Sequence, residues 1–211
     1  YGPAQGYELA GFVWFQGFND YVDGMSYPNQ MQPGGYGEYA ELLGHLVRDV
    51  RKDLSAPKLP FVIGVMGIGG DKEGKQAPQM HFRQAQRVPA SLPEFQGNVL
   101  TVETSRFWDD DLDALAQRRE ELEHKLNQEF EKNPQLDEEA KDAARKKAVS
   151  ERFTAEESQR LAAGVSNGGY HYLGAAKILA PIGAAFADAL VPAKGNLPRQ
   201  AEMAGYLLVP H

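Results

Sequence analysis

Two short stretches of this chain carry residue types suited to chemistry. In Trp14-Phe15-Gln16-Gly17-Phe18-Asn19-Asp20, an apolar run stops abruptly at a glutamine, a glycine and an asparagine. A glycine at such a point exposes its backbone N–H, and a neighbouring side-chain amide can aim a second donor at the same spot, which is how a developing oxyanion is stabilised. Taken alone the stretch reads first as a strand-ending turn, because Gly, Asn and Asp are ordinary turn residues. The second stretch is Asn167-Gly168-Gly169-Tyr170-His171-Tyr172-Leu173-Gly174, a glycine-bearing loop that delivers a histidine to the start of the last helical segment. Histidine changes charge near neutral pH and so suits general-base work, although a lone loop histidine is more often structural. Together the stretches offer complementary halves of an acyl-transfer site, with donors at Gln16, Gly17 or Asn19 and a base at His171.

The elements that must position these residues follow from apolar periodicity. Leu9 to Gln16 (LAGFVWFQ) predicts a strand buried on both faces, and the Gly-, Pro-, Asn- and Tyr-rich segment from Asp20 to Gly37 predicts a long functional loop. Tyr39 to Leu54 places Leu42, Leu43, Leu46, Val47 and Val50 on one helical stripe. Pro60 to Met66 and Asn98 to Val102 predict two more strands, with a helix opened by Pro78 between them. Strands that alternate with helices imply an α/β fold with a parallel sheet and helices on both faces. Ligands of such sheets sit at the carboxyl ends of the strands, where Gln16 to Asp20 falls.

Residues 109–165 break the pattern. They are dense in Glu, Lys, Arg, Gln and Ala, and they hold 16 acidic against 10 basic side chains, so six of the seven net negative charges of the chain belong here. Asn133-Pro134 interrupts the run and Thr154 to Glu157 has capping-box spacing, which together predict two or three polar helices inserted before the last helix. A solvated helical insertion is the first reading, and an arm for a protein partner the second. Tyr172 to Leu190 returns to a core pattern, with Pro181 expected to kink or break it, and residues 192–211 form a Pro- and Gly-containing tail. Residues 1–191 are thus expected to form one domain carrying the 109–165 insertion.

Composition narrows the partners. The net charge of −7 provides no basic footprint for nucleic acid, no apolar run is long enough for a membrane span, and the absence of cysteine excludes disulfides and thiolate chemistry. Gly69 to Lys75 (GGDKEGK) fits a phosphate-loop spacing as far as its lysine. Gln76 then stands where Ser or Thr is needed and Pro78 delays the helix, so the segment reads better as a rim of the site cleft. His45, His81, His124 and His211 lack metal-ligand spacing, and no metal or other cofactor is expected. Tyr21, Tyr27, Tyr36 and Tyr39 with Trp14 crowd the first stretch, where they could face a sugar or simply pack.

The two stretches resemble the third and fifth sequence blocks of the SGNH hydrolases, in particular the sialate O-acetylesterase-like carbohydrate esterases. Gly17-Phe18-Asn19-Asp20 matches the superfamily's G-x-N-D, and Trp14-Phe15-Gln16-Gly17 matches the W-[YF]-Q-G of the acetylesterase branch. The similarity extends from about Tyr7 to Leu190. It implies a flavodoxin-like three-layer sandwich, here lacking its N-terminal part, and serine-type hydrolysis of acetyl esters on sugars. Gly17 with Gln16 or Asn19 would hold the oxyanion and His171 would be the general base. It also suggests a secreted or periplasmic protein with any signal peptide upstream.

The chain departs from the family pattern at several points. Phe18 replaces the usual Glu after Q-G. Gly168 stands where the family has an Asp three residues before the histidine, with Asn167 the nearest polar residue. The family's G-[DQ]-S nucleophile motif is missing, and none of Ser26, Ser55, Ser91, Ser105, Ser150, Ser158 and Ser166 follows an apolar strand in that setting. Ser26 is a minority candidate because it lies in the loop beside the proposed donors. The nucleophile is therefore expected upstream of Tyr1, with this chain inactive by itself. The alternative is a non-catalytic SGNH-like domain that binds glycans or proteins.

Overall fold

A computed structural model describes residues 9–71 and 77–191. The elements in chain order are β1 (Phe12–Trp14), α1 (Phe18–Val22), α2 (Gly37–Asp53), β2 (Phe61–Val65), α3 (Ala77–Arg87), β3 (Val99–Glu103), α4 (Asp110–Lys132), α5 (Glu138–Arg152), α6 (Ala155–Gly164) and α7 (Ala176–Leu190), with short 3-10 turns between some of them. The chain divides into two compact units. One runs up to Phe107 and resumes at Pro181, and the other is Trp108–Ala180.

The first unit is built on a parallel sheet in the order β1-β2-β3, with Phe12 opposite Phe61 and Phe61 opposite Val99. Every residue of the central strand β2 is buried, as its unbroken apolar sequence requires. Phe61 and Ile63 face a core shared with Tyr39, Leu43 and Val47 of α2 and Phe82 and Ala85 of α3. The opposite face is covered by α7 from Pro181 on, where Ile182, Ala185 and Phe186 are buried. Gly64 makes that approach possible. A Cβ there would stand 2.5 Å from Phe15 Cδ2 and 2.7 Å from Phe186 Cζ, whose rings meet edge to face with centroids 5.2 Å apart. Helix layers on the two faces of a parallel sheet make this a flavodoxin-like α/β arrangement.

The structure corrects several expectations. β1 is shorter than Leu9–Gln16, and among the described residues it pairs with β2 alone and is half-exposed rather than buried on both faces, with Val13 37% exposed. The segment from Asp20 to Gly37 is no simple loop, since α1 holds Asp20 and the core takes up Tyr27 and Tyr36. Leu42 points outward on α2, where the buried positions are Tyr39, Ala40, Leu43, Gly44, Val47 and Arg51. Arg51 anchors the far end of the sheet by donating to the carbonyls of Leu59 and Asn98. Of the kink or break expected at Pro181 the break does not occur, since α7 continues through it, and Pro181 is also where the chain passes from one unit to the other.

The second unit is a set of polar helices with a thin core of Leu112, Leu115, Leu126, Phe130 and Phe153. Local capping defines its helix starts. Asp109 accepts from Leu112 N at 3.0 Å, Asp137 from Ala140 N at 2.8 Å, and Thr154 with Glu157 closes a reciprocal capping box. Asp109 is raised by its own burial, but Lys177 Nζ and Leu112 N more than offset this and hold the carboxyl below its ordinary range. Arg118 pairs with Glu157 and lies over the Phe153 ring, so even the apolar floor is roofed by charge. Residues 192–211 and the lysine end of the GGDKEGK segment lie outside the described residues.

Gly64→Val should lower the unfolding free energy by ~1–3 kcal/mol, because the added atoms must displace two aromatic rings. Gly183→Ala, in α7 where a Cβ meets nothing within 4 Å, should instead stabilise by ~0.5–1 kcal/mol. Urea unfolding of the two variants checks both. Equal midpoints for Gly64→Val and the parent would refute the close packing of α7 on the sheet.

Candidate active site

The carboxyl end of β1 leads directly into Gln16 and Gly17. Gly17 is buried with φ 149° and ψ −11°, a conformation L side chains avoid. A Cβ there would also stand 2.7 and 2.8 Å from two Phe82 ring carbons and 2.9 Å from Gln86 Nε2. Only glycine meets both demands. The Gln16 carbonyl accepts from Gln86 Nε2 at 3.0 Å and more distantly from the Tyr39 hydroxyl at 3.4 Å, and the Gly17 carbonyl accepts from Tyr21 N at 2.9 Å.

The side chains of the loop are differently committed. Gln16 Nε2 donates to Asp20 Oδ2 at 2.6 Å, and the Tyr27 hydroxyl donates to the other oxygen of the same carboxylate at 3.2 Å. Asn19 is exposed on α1. Among the described residues neither its side-chain amide nor the Gly17 N–H has a hydrogen-bond partner. The loop therefore presents two uncommitted donor groups, Gly17 N–H and Asn19 Nδ2, while one of the two Nε2 hydrogens of Gln16 is given to Asp20. Donors of this kind at a strand's carboxyl end suit an anionic oxygen.

The aromatic residues around the loop pack rather than form a platform. Tyr27, Tyr36 and Tyr39 are buried, and Tyr36 and Tyr39 meet Phe82 with ring centroids 5.0 and 4.7 Å away. Burial first, and then the Asp20 charge, pushes the Tyr27 hydroxyl up to about 12. Burial and the neighbouring Tyr21 raise Tyr36 likewise to about 12. Gln86 itself was missed in the sequence, although it left a signal. With Phe82 and Ala85 it forms an i, i+3, i+4 set on the inward face of α3, and a fully buried polar residue on an apolar face needs directed partners. At the end of β3 a second polar anchor, a bidentate pair of Arg87 with the buried Glu103 at 2.6 and 2.8 Å, also went unread.

His171 belongs to the second unit, and its imidazole is exposed. The backbone after it is strained, with Tyr172, Leu173 and Gly174 at φ 54°, 59° and 59°. Two features hold this conformation. Tyr172 and Leu173 are buried, and the Leu173 carbonyl accepts from both Ser166 N at 2.9 Å and Asn167 N at 3.0 Å. The His171 ring lies 4.5 Å from that of Tyr170. Among the described residues no carboxylate or other hydrogen-bond partner meets its nitrogens, and Asn167 Oδ1 is turned to its neighbour Gly168 N.

Other candidate residues resolve simply. Ser26 is an exposed turn residue whose N–H donates to Asp23 Oδ1 at 3.0 Å. His45 is exposed, His81 Nδ1 lies 3.1 Å from the Gln30 carbonyl, and His124 pairs with Gln128. Among the described residues no cluster of His, Asp and Glu is placed to hold a metal ion, and no helix is long and apolar enough to cross a membrane. Gly69 and Gly70 form a left-handed turn whose carbonyl at Gly70 accepts from Arg83.

The parallel sheet with its glycine-and-asparagine loop at a strand's carboxyl end places the chain in the flavodoxin-like SGNH class. Residues 3–131 match the family of carbohydrate esterases described as sialic acid-specific acetylesterases, and the chain belongs to that family. The match takes in all three strands and the Gln16–Asp20 loop and ends within α4, before His171. No curated protein and no solved structure matches the chain.

The tyrosines beside the loop give a pH signature. An unfolded tyrosine ionises near 10 and these two near 12 in the folded protein, so their contribution to stability is intact below pH 10 and falls away as pH rises from about 10 to about 12. Unfolding free energies measured across that interval should decline, less steeply for Tyr27→Phe. If ultraviolet titration of the folded chain showed all tyrosines ionising together near 10, their burial beside the loop would be disproved.

Proposed function

We propose that this carbohydrate esterase is a serine-type O-acetylesterase, to which this chain contributes the oxyanion donors and the general base. A serine hydroxyl attacks the carbonyl carbon of an acetyl ester on a sugar while His171 takes its proton. The negative oxygen of the tetrahedral intermediate is held by Gly17 N–H and Asn19 Nδ2, with Gln16 as the donor kept in reserve at Asp20. Collapse expels the sugar hydroxyl, which recovers the proton from His171. Water, deprotonated by the same histidine, then attacks the acetyl-enzyme and releases acetate. In this reading the attacking serine lies in sequence preceding Tyr1, since Ser105, two residues past β3, is buried in a 3-10 turn and the other serines of the described residues follow no strand.

The observation that carries this reading is the pair of uncommitted donors, Gly17 N–H and Asn19 Nδ2, at the carboxyl end of β1. A second reading, a non-catalytic domain that binds glycans or proteins, has its own support in the absence of any carboxylate against His171 among the described residues. A protein partner for the 109–165 helices belongs to that reading.

Ester turnover separates the two. The full-length polypeptide should hydrolyse an aryl acetate and an O-acetylated sialic acid, with this chain alone inactive. His171→Ala should cut kcat/KM on the order of a thousandfold or more. Asn19→Ala should cost about a hundredfold, the usual loss for one oxyanion donor. Parent and His171→Ala proteins with equal rates would sink the esterase mechanism, and glycan binding without turnover would favour the second reading.

A further inference from the structure

Gln86 is completely buried, and both ends of its amide are used. Its Oε1 accepts from Met66 N at 2.8 Å, just past the carboxyl end of β2, and its Nε2 donates to the Gln16 carbonyl at 3.0 Å, just past the carboxyl end of β1. A leucine would fill the same space on this face of α3 without the cost of desolvating an amide. The retained amide is aimed at one peptide unit in particular. The Gln16 carbonyl and the Gly17 N–H belong to the same planar peptide group, so fixing the direction of the C=O fixes the opposed direction of the N–H. A carbonyl that accepts hydrogen bonds also polarises its own peptide, which strengthens the N–H as a donor. The absence of a Cβ on Gly17 leaves room for Nε2 to reach this point, since a Cβ would lie 2.9 Å from it.

We infer that Gln86 is a positioning residue of the esterase site, orienting and polarising the Gln16–Gly17 peptide so that the Gly17 N–H faces the developing oxyanion. The inference rests on the reading of Gly17 as an oxyanion donor. Tyr39 plays a lesser part through its longer bond to the same carbonyl. Because Gln86 acts on the charge that appears in the transition state and does not touch the substrate, its removal should lower kcat and leave KM nearly unchanged.

The test is steady-state kinetics of the full-length polypeptide with Gln86→Leu and Gln86→Glu, alongside thermal unfolding of each. Gln86→Leu should lower kcat by about tenfold to a hundredfold while KM moves by less than about threefold. Gln86→Glu keeps the shape and the acceptor for Met66 N, but its ionised form has no proton for the Gln16 carbonyl. Its neutral form does, so its rate relative to the parent should climb as pH falls and drop as pH rises. Tyr39, which shares that carbonyl, stays neutral over this range because burial raises its hydroxyl. A structural role would lower stability without this pH-dependent recovery.

Folded variants with parental kcat at every pH would overturn the inference, and so would a loss confined to KM. If Gln86→Leu does not fold, the isosteric Gln86→Glu decides. If the parent shows no turnover, the esterase reading fails instead. The amide resonance of Gly17 in Gln86→Glu then reports on the peptide directly, a large shift supporting the positioning role and an unmoved resonance refuting it.

Discussion

The central strand β2 has no exposed face, and the first unit is arranged around that constraint. Five consecutive apolar residues must be covered from both sides, which recruits α2 and α3 to one face and the later half of α7 to the other. The sheet can accept a helix bearing Phe186 only because Gly64 leaves the space a side chain would occupy. A chain segment almost 120 positions later than β2 is thereby fixed to it, and the return of the chain at Pro181 follows from the same packing.

Close packing at the strand ends then dictates how the loop after β1 is built. Gly17 must lie against Phe82 and Gln86, so the chain turns sharply, and its carbonyls are met by Gln86, Tyr39 and Tyr21 in place of sheet partners. Gly67 makes the corresponding approach at the end of β2, where a Cβ would meet Thr104 Oγ1 at 2.5 Å, while the Thr104 hydroxyl donates to the Val65 carbonyl at 2.7 Å. Satisfying these backbone groups internally leaves few donors for a ligand. That the N–H of the buried Gly17 has no partner among the described residues is therefore the more informative, since a buried polar group without a partner costs free energy unless something binds it.

What could be read from the sequence was what depends on neighbours along the chain. VIGV and VLTV announce β2 and β3 through unbroken apolar runs, and Thr154 announces its helix through a capping box with Glu157 three residues on. What depends on partners distant in sequence was not legible. LAGFVWFQ has the composition of a central strand, yet among the described residues β1 has one neighbour, and composition does not count neighbours. The tyrosines between Asp20 and Tyr39 looked equally fit for a sugar face or a core until Phe82 was placed among them. Gln86 bonds a carbonyl 70 positions earlier, a pairing no window along the chain contains. Of the candidate site, the loop at Gln16–Asp20 was found by motif, but that its Gln16 amide is tied to Asp20 required the fold to be seen.

The histidine loop shows how much a fold will spend to hold a conformation. Left-handed backbone at bulky residues costs about 1–3 kcal/mol each, and here Tyr172 and Leu173 both adopt it. Burial of a side chain such as Leu173 offsets this with about 1.5–3 kcal/mol, and its carbonyl gains two amide donors in the bargain. The strain thus sits where apolar side chains face inward, and the residue immediately before it, His171, is left facing solvent. The backbone of His171 is thereby over-determined, while its exposed ring packs against Tyr170 with centroids 4.5 Å apart and, among the described residues, has no hydrogen-bond partner.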